Sequence, residues 1–448
     1  MSGEIGKTLA YLKRNGLKDT MWAAAERICE KRRLRYSFSP PSEKELAEQR
    51  GKVFGRPLKF SVVVPAYETP EVFLQDLILS VVEQSYTDRE LVIADASESG
   101  RVEHVVKSFQ EQYEGIRYLK LEKNGGISLN TNAAIEAAEG DYIALLDHDD
   151  VLTPDALFRM REAIDQADRP VLVYSDEDKC DSELEKFFEP NRKRDFDFEL
   201  LLTNNYICHL SVFRADVIKE LKLDPAFDGA QDHELLLRTA LWTKEHYTGA
   251  AWKKQIRHVD RVLYHWRVHP ASTSGSRDAK EYAYDAGRRA AESALSAMDI
   301  KAEVKPLKHL GFCRVEYEGG IFACRRDIGL VGGPVYSGGC ICGGLMDAEG
   351  KVIFDGLPTG FSGYMHLAVL QQSAEAVDIR NIKLREDLIP LFKETTGYEW
   401  PFGGDKDEKR LKSRSLKFCN KLRDAGIGIL YDPEQRENDK SKRSDPEL

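Results

Sequence analysis

In the stretch GDYIALLDHDDVLTP, an apolar run from Tyr142 to Leu146 opens directly onto Asp147, His148, Asp149 and Asp150. Three carboxylates in four positions repel one another, by roughly 4 kcal/mol for a pair about 4 Å apart at an effective dielectric near ~20, so a positive partner is expected among them. Oxygen donors of this kind suit a hard divalent cation, Mg2+ or Mn2+, sharing a phosphate. Asp-x-Asp also arises by chance, and Asp is ordinary in turns and at helix N-caps, which is the reading that suits Asp150 or Asp155 ahead of TPDAL. The place of Asp147 and Asp149 at a strand end favours the ligand role for them. Three further clusters bear chemistry. The glycines of NGGISLNTNAA let a ligand approach the backbone before a helix, as phosphates do. GAQDHELLLR sets Asp232 and Glu234 at a helix start, where the dipole favours carboxylates with or without catalysis. YHWRVHPASTS packs His265, Trp266, Arg267 and His269 into five residues, a density that a structural role alone does not ask for.

These groups need a scaffold, and the apolar pattern supplies one. KFSVVVPAY is a continuous β-branched run, the mark of a strand buried on both faces, and EVFLQDLILSVVEQ has the spacing of a covering helix. ELVIADAS, IRYLKLEKN and DYIALLD read as further strands, SLNTNAAIEAAEG as a helix stopping at Gly140, and VLVYSDEDK as another strand end. Strand and helix in alternation predict a parallel α/β sheet with right-handed crossovers, whose ligands bind at the carboxyl ends of the strands. Tyr67 and Glu68, Asp95, Asn124 to Gly126, and Asp147 to Asp150 all fall at such ends. No GxGxxG or GxxxxGK[ST] follows a strand, which counts against a dehydrogenase and a P-loop nucleotidase.

The 448 residues and 42% apolar content allow about three domains by the usual length prior. The net charge of −10 is uneven. Residues 1–60 carry 14 Lys+Arg against 7 Asp+Glu, or +7, leaving 51 against 68, or −17, for the rest. A basic arm on an acidic body suits contact with an anionic membrane surface or a phosphorylated acceptor as well as a merely solvated helix face; nucleic acid is not expected. No run of 18 apolar residues occurs and MSGEIGKTLA has no apolar stretch, so the expected location is the cytoplasm, with peripheral attachment at the inner membrane face as the use of the basic arm. Eight scattered cysteines are then reduced thiols, and Cys340-Ile341-Cys342 lacks a second ligand pair for zinc.

The segments SVVVPAYE, LVIADAS, NGGISLNTNAAIEAAEGDYIALLDHDD, YSDEDK, FDGAQDHELLLR and VLYHWRVHPASTS together closely resemble bacterial family 2 glycosyltransferases of the O-antigen and rhamnan-type polysaccharide group, over roughly residues 60–275. The resemblance implies a GT-A fold, a nucleotide-diphosphate sugar donor (UDP- or dTDP-linked), a glycan or lipid-linked glycan acceptor, and inversion at the anomeric carbon. It also assigns roles. Pro65, Tyr67 and Glu68 match the first-strand loop at the nucleotide base, Asp95 the acid that holds base or ribose, and Asn124 and Gly126 the donor side. Asp147 and Asp149 match the metal-binding Asp-x-Asp, Asp147 also reaching the donor. Asp232 matches the catalytic base, with Gln231 where the family has Glu, just as Ala94 stands where a second acid is usual. His269 resembles the histidine completing the metal shell, with His265 the alternative, and Arg267 would assist the phosphates. YSDEDK, NNYICH and Trp266 shape the sugar and acceptor pocket, which puts Asp176, Glu177 and Trp266 on the acceptor side.

An inverting transfer needs one general base and a cation at the departing diphosphate, which this set provides without the paired carboxylates of a hydrolase. The expected organisation is a basic helical region at 1–57, a GT-A domain at 58–300, an accessory region at 301–402 resembling a truncated second glycosyltransferase unit, and a charged, flexible tail at 403–448. Two other readings remain. A non-catalytic nucleotide-sugar-binding scaffold is favoured by Gln231 and Ala94. A sugar-1-phosphate nucleotidyltransferase would need a Gly-rich, Arg-containing loop where this chain has PAYETPE.

Overall fold

The computed structural model describes residues 2–33, 36–269, 277–405 and 407–435. It divides into two compact units: Tyr36–Phe196 with Asn204–Ala294, and Met1–Arg35, Asp197–Thr203 and Leu295–Leu448. These boundaries differ from the four segments expected along the sequence, because the N-terminal helix and the C-terminal region form one unit. No helix among the described residues is long and apolar enough to cross a membrane.

In chain order, α1 (Ser2–Arg33) breaks at Gly16, whose φ of 79° only glycine adopts freely. After it, α2 (Glu43–Arg50) starts with a capping box in which Ser42 and Glu45 exchange side-chain and backbone bonds. Then come β1 (Phe60–Ala66), α3 (Glu71–Val82), β2 (Arg89–Asp95), α4 (Arg101–Gln110), β3 (Ile116–Lys120), α5 (Ile127–Ala137), β4 (Tyr142–Leu145), β5 (Val151–Leu152), α6 (Ala156–Gln166), β6 (Leu172–Cys180), β7 (Phe187–Asn191), α7 (Phe198–Thr203), β8 (Ser211–Arg214), α8 (Ala215–Leu221), α9 (Gln231–His246), β9 (Ile256–Arg267) and α10 (Arg277–Ala297).

The nine-stranded sheet runs β3-β2-β1-β4-β8-β6-β9-β5, with β7 on β6. β1, β2, β3 and β4 pair in parallel, as do β6 and β9, whereas β8 is antiparallel to both its neighbours. Val62, Val64, Ile93 and Ala144 are buried and pack with Leu74, Leu77, Ile78 and Val81 of α3. That dry core holds the carboxyl ends of β1, β2 and β4 side by side. The stretch from Glu189 to Leu221 contains α7, β8 and α8, and β8 runs antiparallel between β4 of the parallel β3-β2-β1-β4 half and β6, whose half also holds the antiparallel strands β5 and β7.

In the other unit a four-stranded sheet sets Gly428–Tyr431 parallel to Ile328–Gly332, flanked by Gln372–Ser373 and Ile382–Leu384. The tail expected at 403–448 is therefore corrected. Glu408–Asp424 is a helix whose Leu411, Ser415, Phe418, Cys419 and Leu422 are buried, and Ile429, Leu430 and Tyr431 form an inner strand. Lysines and arginines on the outer face hid its 3.6-residue apolar period. Residues 436–448 of that tail lie outside the described residues.

His309 and His366 in this unit stack with centroids 4.0 Å apart. Burial, then the neighbouring His366, lowers His309 to about 3, and burial also lowers His366. The folded pKa lies below that of the unfolded chain, near ~6.5, so below that pH the unfolded state binds protons that the folded state refuses. Stability is full above about pH 6.5 and is lost as the pH falls towards about 3. The urea midpoint is expected to drop between about pH 7 and about pH 5, and His309→Phe to flatten that drop.

Candidate active site

The turn after β4 gives its three carboxylates different surroundings. Asp150 is wholly buried: its Oδ1 accepts the Arg267 N–H at 2.7 Å and its Oδ2 accepts the Tyr264 hydroxyl at 2.5 Å. Burial, with Asp149 and Asp147 adding repulsion, pushes its carboxyl well above the usual range. It ties the turn to the end of β9, the structural role the sequence allowed for it. Asp149 instead faces His269, Oδ2 to Nε2 2.8 Å. Asp147 keeps 42% side-chain exposure and lies 3.5 Å from His209 Nε2. Desolvation raises the Asp147 carboxyl; His209 opposes that effect, and Asp149 and Asp232 contribute to it.

Strand alternation at the end of β9 separates Trp266 from His265 and Arg267, while His269 lies past the strand. Tyr264 and Trp266 lie on one side, where His209 stacks on Tyr264 at 4.6 Å and 14° and meets Trp266 edge-on at 6.4 Å. His265 lies on the other, bonded to Asp178 at 2.5 Å and caged by Phe38 and Phe187 at 4.4 and 4.5 Å. Between the two histidines left open by the sequence, His269 is the one beside the Asp-x-Asp.

Arg267 departs from the expected phosphate contact. It is 0% exposed, and its guanidinium donates to the Asp149 carbonyl at 2.8 Å, the Ser182 carbonyl at 2.5 Å and Asp76 Oδ2 at 3.0 Å, with Phe73 4.4 Å beneath. All three nitrogens are occupied, tying together the carboxylate turn, α3 and the segment just after β6.

Asp176 and Glu177 also depart from the acceptor-side expectation. Asp176 is buried and accepts from the Lys193 N–H and His258 Nε2, both at 2.8 Å. Glu177 accepts from Lys193 Nζ at 3.3 Å, Asn191 at 3.1 Å and the His209 N–H at 3.1 Å. Burying these acids requires such partners. Glu177 thereby helps to fix the 205–209 loop from behind, while the half-buried Trp266 meets His209 of the same loop edge-on.

That loop surrounds Asp232. Asp232 Oδ2 accepts from Asn205 Nδ2 at 2.8 Å and from the Cys208 thiol at 3.5 Å. Cys208, His209 and Asp232 bring their donor atoms within 4.8 Å of one another. Glu234 turns away onto Arg238, leaving Asp232 as the helix-start carboxylate in the cluster. His209, Asn205 and Cys208 escaped the sequence reading as individuals; their signal was the segment NNYICH just before β8, already assigned as a whole to the sugar and acceptor pocket.

On the β1–β3 side, Glu68 has a φ of 48° and its carboxylate accepts from the Glu98 and Ser99 N–H groups at 2.9 Å and the Ser99 hydroxyl at 2.6 Å, which hold it below the usual range. Tyr67 is 45% exposed beside it, and half-buried Pro65 sits within β1. Asp95 is buried, its oxygens taken by the Ser97 N–H at 2.8 Å, the Tyr118 hydroxyl at 2.7 Å and Lys120 at 3.1 Å. The start of α5 is filled as well. Gly126 has a φ of 91°, and a Cβ there would lie 2.6 Å from Asp228 Oδ2, while Asp228 Oδ1 accepts from Ser128 N–H at 3.3 Å. Asn124 Oδ1 accepts from Gly126 N–H and Asn130. A protein carboxylate thus stands where the sequence suggested a phosphate.

A mixed sheet, parallel through β3-β2-β1-β4, with an Asp-x-Asp turn at its fourth strand, a histidine beside that turn and a carboxylate at a nearby helix start has the architecture of a glycosyltransferase domain of GT-A type. Residues 61–222 match the family described as Glycosyl transferase family 2. The chain is 41% identical over 245 residues to the uncharacterized protein y4gI of Sinorhizobium fredii, covering 53% of this chain and 25% of that protein. It is 31% identical over 254 residues to the O-antigen biosynthesis protein RfbC of Myxococcus xanthus, covering 56% and 19%. The chain thus spans a quarter or less of these two curated relatives. Among solved structures, S. aureus TarS 1-349 in complex with UDP-GlcNAc aligns at 18% identity and a TM-score of 0.42, covering 53% of this chain and 67% of that one.

Arg267→Lys tests the clamp. One ammonium cannot serve three diverging acceptors, so the variant is expected to lose about 2–4 kcal/mol of stability in urea titrations while the protein that stays folded retains donor affinity. Unchanged stability with weakened donor binding would return Arg267 to the phosphates.

Proposed function

We propose that the chain is a metal-dependent, inverting glycosyltransferase that moves a sugar from a nucleotide-diphosphate donor, UDP- or dTDP-linked, to a hydroxyl of a growing cell-surface polysaccharide or lipid-linked glycan. The observation that carries this reading is the Asp149–His269 contact at 2.8 Å with Asp147 alongside, in a crevice that Asp232 also enters. Oxygen and imidazole donors there fit Mg2+ or Mn2+, and Asp147, Asp149 and His269 would hold it. When bound, such an ion supplies charge stabilisation to the departing diphosphate.

The chain's own residues supply the rest. Asp232, its Oδ2 already held by Asn205, is aimed to take the proton of the acceptor hydroxyl as that oxygen attacks the anomeric carbon. His209, pinned by Glu177 and stacked on Tyr264, walls the space between Asp147 and Asp232. Trp266 offers an aromatic face to a sugar ring. Tyr67, at the mouth, is the residue of its loop best exposed to a base, whereas Asp95 reaches base or ribose only if Tyr118 and Lys120 release it. The polysaccharide setting draws on relatives whose names refer to O-antigen, teichuronic acid and teichoic acid biosynthesis. Residues 301–402 are proposed as an accessory region. The occupied Asp95 favours one alternative, a non-catalytic nucleotide-sugar-binding protein.

Release of nucleoside diphosphate from UDP-, dTDP- and GDP-sugars, each with a mixed glycan acceptor and Mg2+ or Mn2+, tests these readings. Metal-dependent release from one donor is expected, abolished in Asp149→Ala and cut about 10²–10⁴-fold in Asp232→Asn with donor affinity kept. Donor binding with no release from any acceptor would favour the non-catalytic reading, and absence of donor binding would sink both.

A further inference from the structure

Helix α1 is two-faced, and the face turned to solvent is the apolar one. Leu17, Met21 and Ile28 are 67%, 65% and 55% exposed. With exposed Ala24 they fall at i, i+4, i+7 and i+11, one continuous stripe. Lys18 and Arg27 flank it on the same segment, Lys13 and Arg14 are exposed on the segment before the Gly16 break, Arg14 over the Tyr11 ring, and no ion pair engages any of the four among the described residues. The acids of the same stretch point the other way. Asp19 pairs with Lys308 at 3.1 Å, and Glu26 accepts from the Ser362 N–H, the Ser362 hydroxyl and the Gly363 N–H at 2.8, 2.9 and 2.6 Å. Trp22 packs edge-on against Phe361 at 5.7 Å. These contacts, spread over two turns, fix the rotation of the helix, so the stripe is a held surface.

We infer that this face of α1 docks on a bilayer surface containing anionic lipid, with Leu17, Met21 and Ile28 entering the boundary between headgroups and acyl chains and the four cations facing the phosphates. Charge complementarity selects this occupant. A second copy meeting the same face would set four unpaired cations against four others, and an apolar stripe has no use on a polyanion in water. The inference does not depend on the reaction catalysed.

The test is cosedimentation of the full chain with vesicles of phosphatidylglycerol and phosphatidylcholine in equal parts, against phosphatidylcholine alone. About tenfold stronger partition onto the anionic vesicles, weakened by salt, is expected. Met21→Glu with Ile28→Glu should lose about tenfold or more, and Lys13→Gln with Lys18→Gln should reduce both the partition and its salt dependence. Both pairs are exposed, and a melting curve matching that of the unmodified chain certifies each variant. Equal partition of the unmodified chain and both variants would overturn the inference. So would a dimer in sedimentation velocity that Met21→Glu with Ile28→Glu dissolves, since the stripe would then be covered by its own copy.

Discussion

The crevice depends on how three adjacent carboxylates coexist. Were Asp147, Asp149 and Asp150 all to face it, mutual repulsion would open the turn. Asp150 is instead drawn under the sheet, where the Tyr264 hydroxyl and the Arg267 N–H satisfy it and its carboxyl is pushed up. That single bond set welds the turn after β4 to the last residues of β9, two segments more than a hundred residues apart in sequence. Arg267 then extends the weld, reaching the Asp149 carbonyl on one side and Asp76 on the other. The position of His269 two residues further on follows from it.

A second layer of buried charge does similar work on the acceptor side. Asp176, Glu177 and Asp178 occupy successive positions of β6, and each has a basic or hydroxyl partner: His258 and the Lys193 backbone, Lys193 Nζ, and His265 with Tyr36. Glu177 plays a different part from its neighbours. It is the one that holds the His209 backbone, while Lys193 also donates to the His209 carbonyl. The loop that closes on Asp232 is thus positioned by buried charges.

Much of this was legible in the sequence, and the failures have a common cause. Strands β1, β2 and β4 and their helices could be read because a strand buried on both faces must be apolar throughout, as FSVVVPA and ELVIAD are. The Asp-x-Asp stood out because a carboxylate cluster at such a strand end needs a reason. What could not be read was side-chain direction. Arg267, Asp176 and Asp95 have the composition of ligand-binding residues yet point into the protein, and only the partners brought by distant segments, Asp76, His258 and Tyr118, reveal it. For β9 the information was half present: alternation alone separates Trp266 from His265 and Arg267, whereas His269 lies past the strand's end and escapes the rule. The helix Glu408–Asp424 shows the converse error, in which charge density concealed a regular apolar period.

The two carboxylates left in the crevice are not equivalent, and the difference is built by histidines from different parts of the chain. Asp149 is the less exposed and has His269 at hydrogen-bond distance, so its oxygen is oriented from the β9 side. Asp147 is the more exposed, and its neighbour His209 comes from the loop before β8, at a longer 3.5 Å. An imidazole beside each acid offsets part of the repulsion between them without the rigidity of a salt bridge to lysine or arginine, which would compete for the lone pairs a cation needs. The cationic side chains nearest this turn are consistent with that constraint. Arg267 binds the Asp149 carbonyl rather than its carboxylate, and Lys193 is spent on Glu177 and on carbonyls. Arg267 and Lys193 are kept one layer behind the turn, and the crevice itself holds carboxylates, imidazoles, an amide and the Cys208 thiol, the set on which the proposed metal and donor site rests.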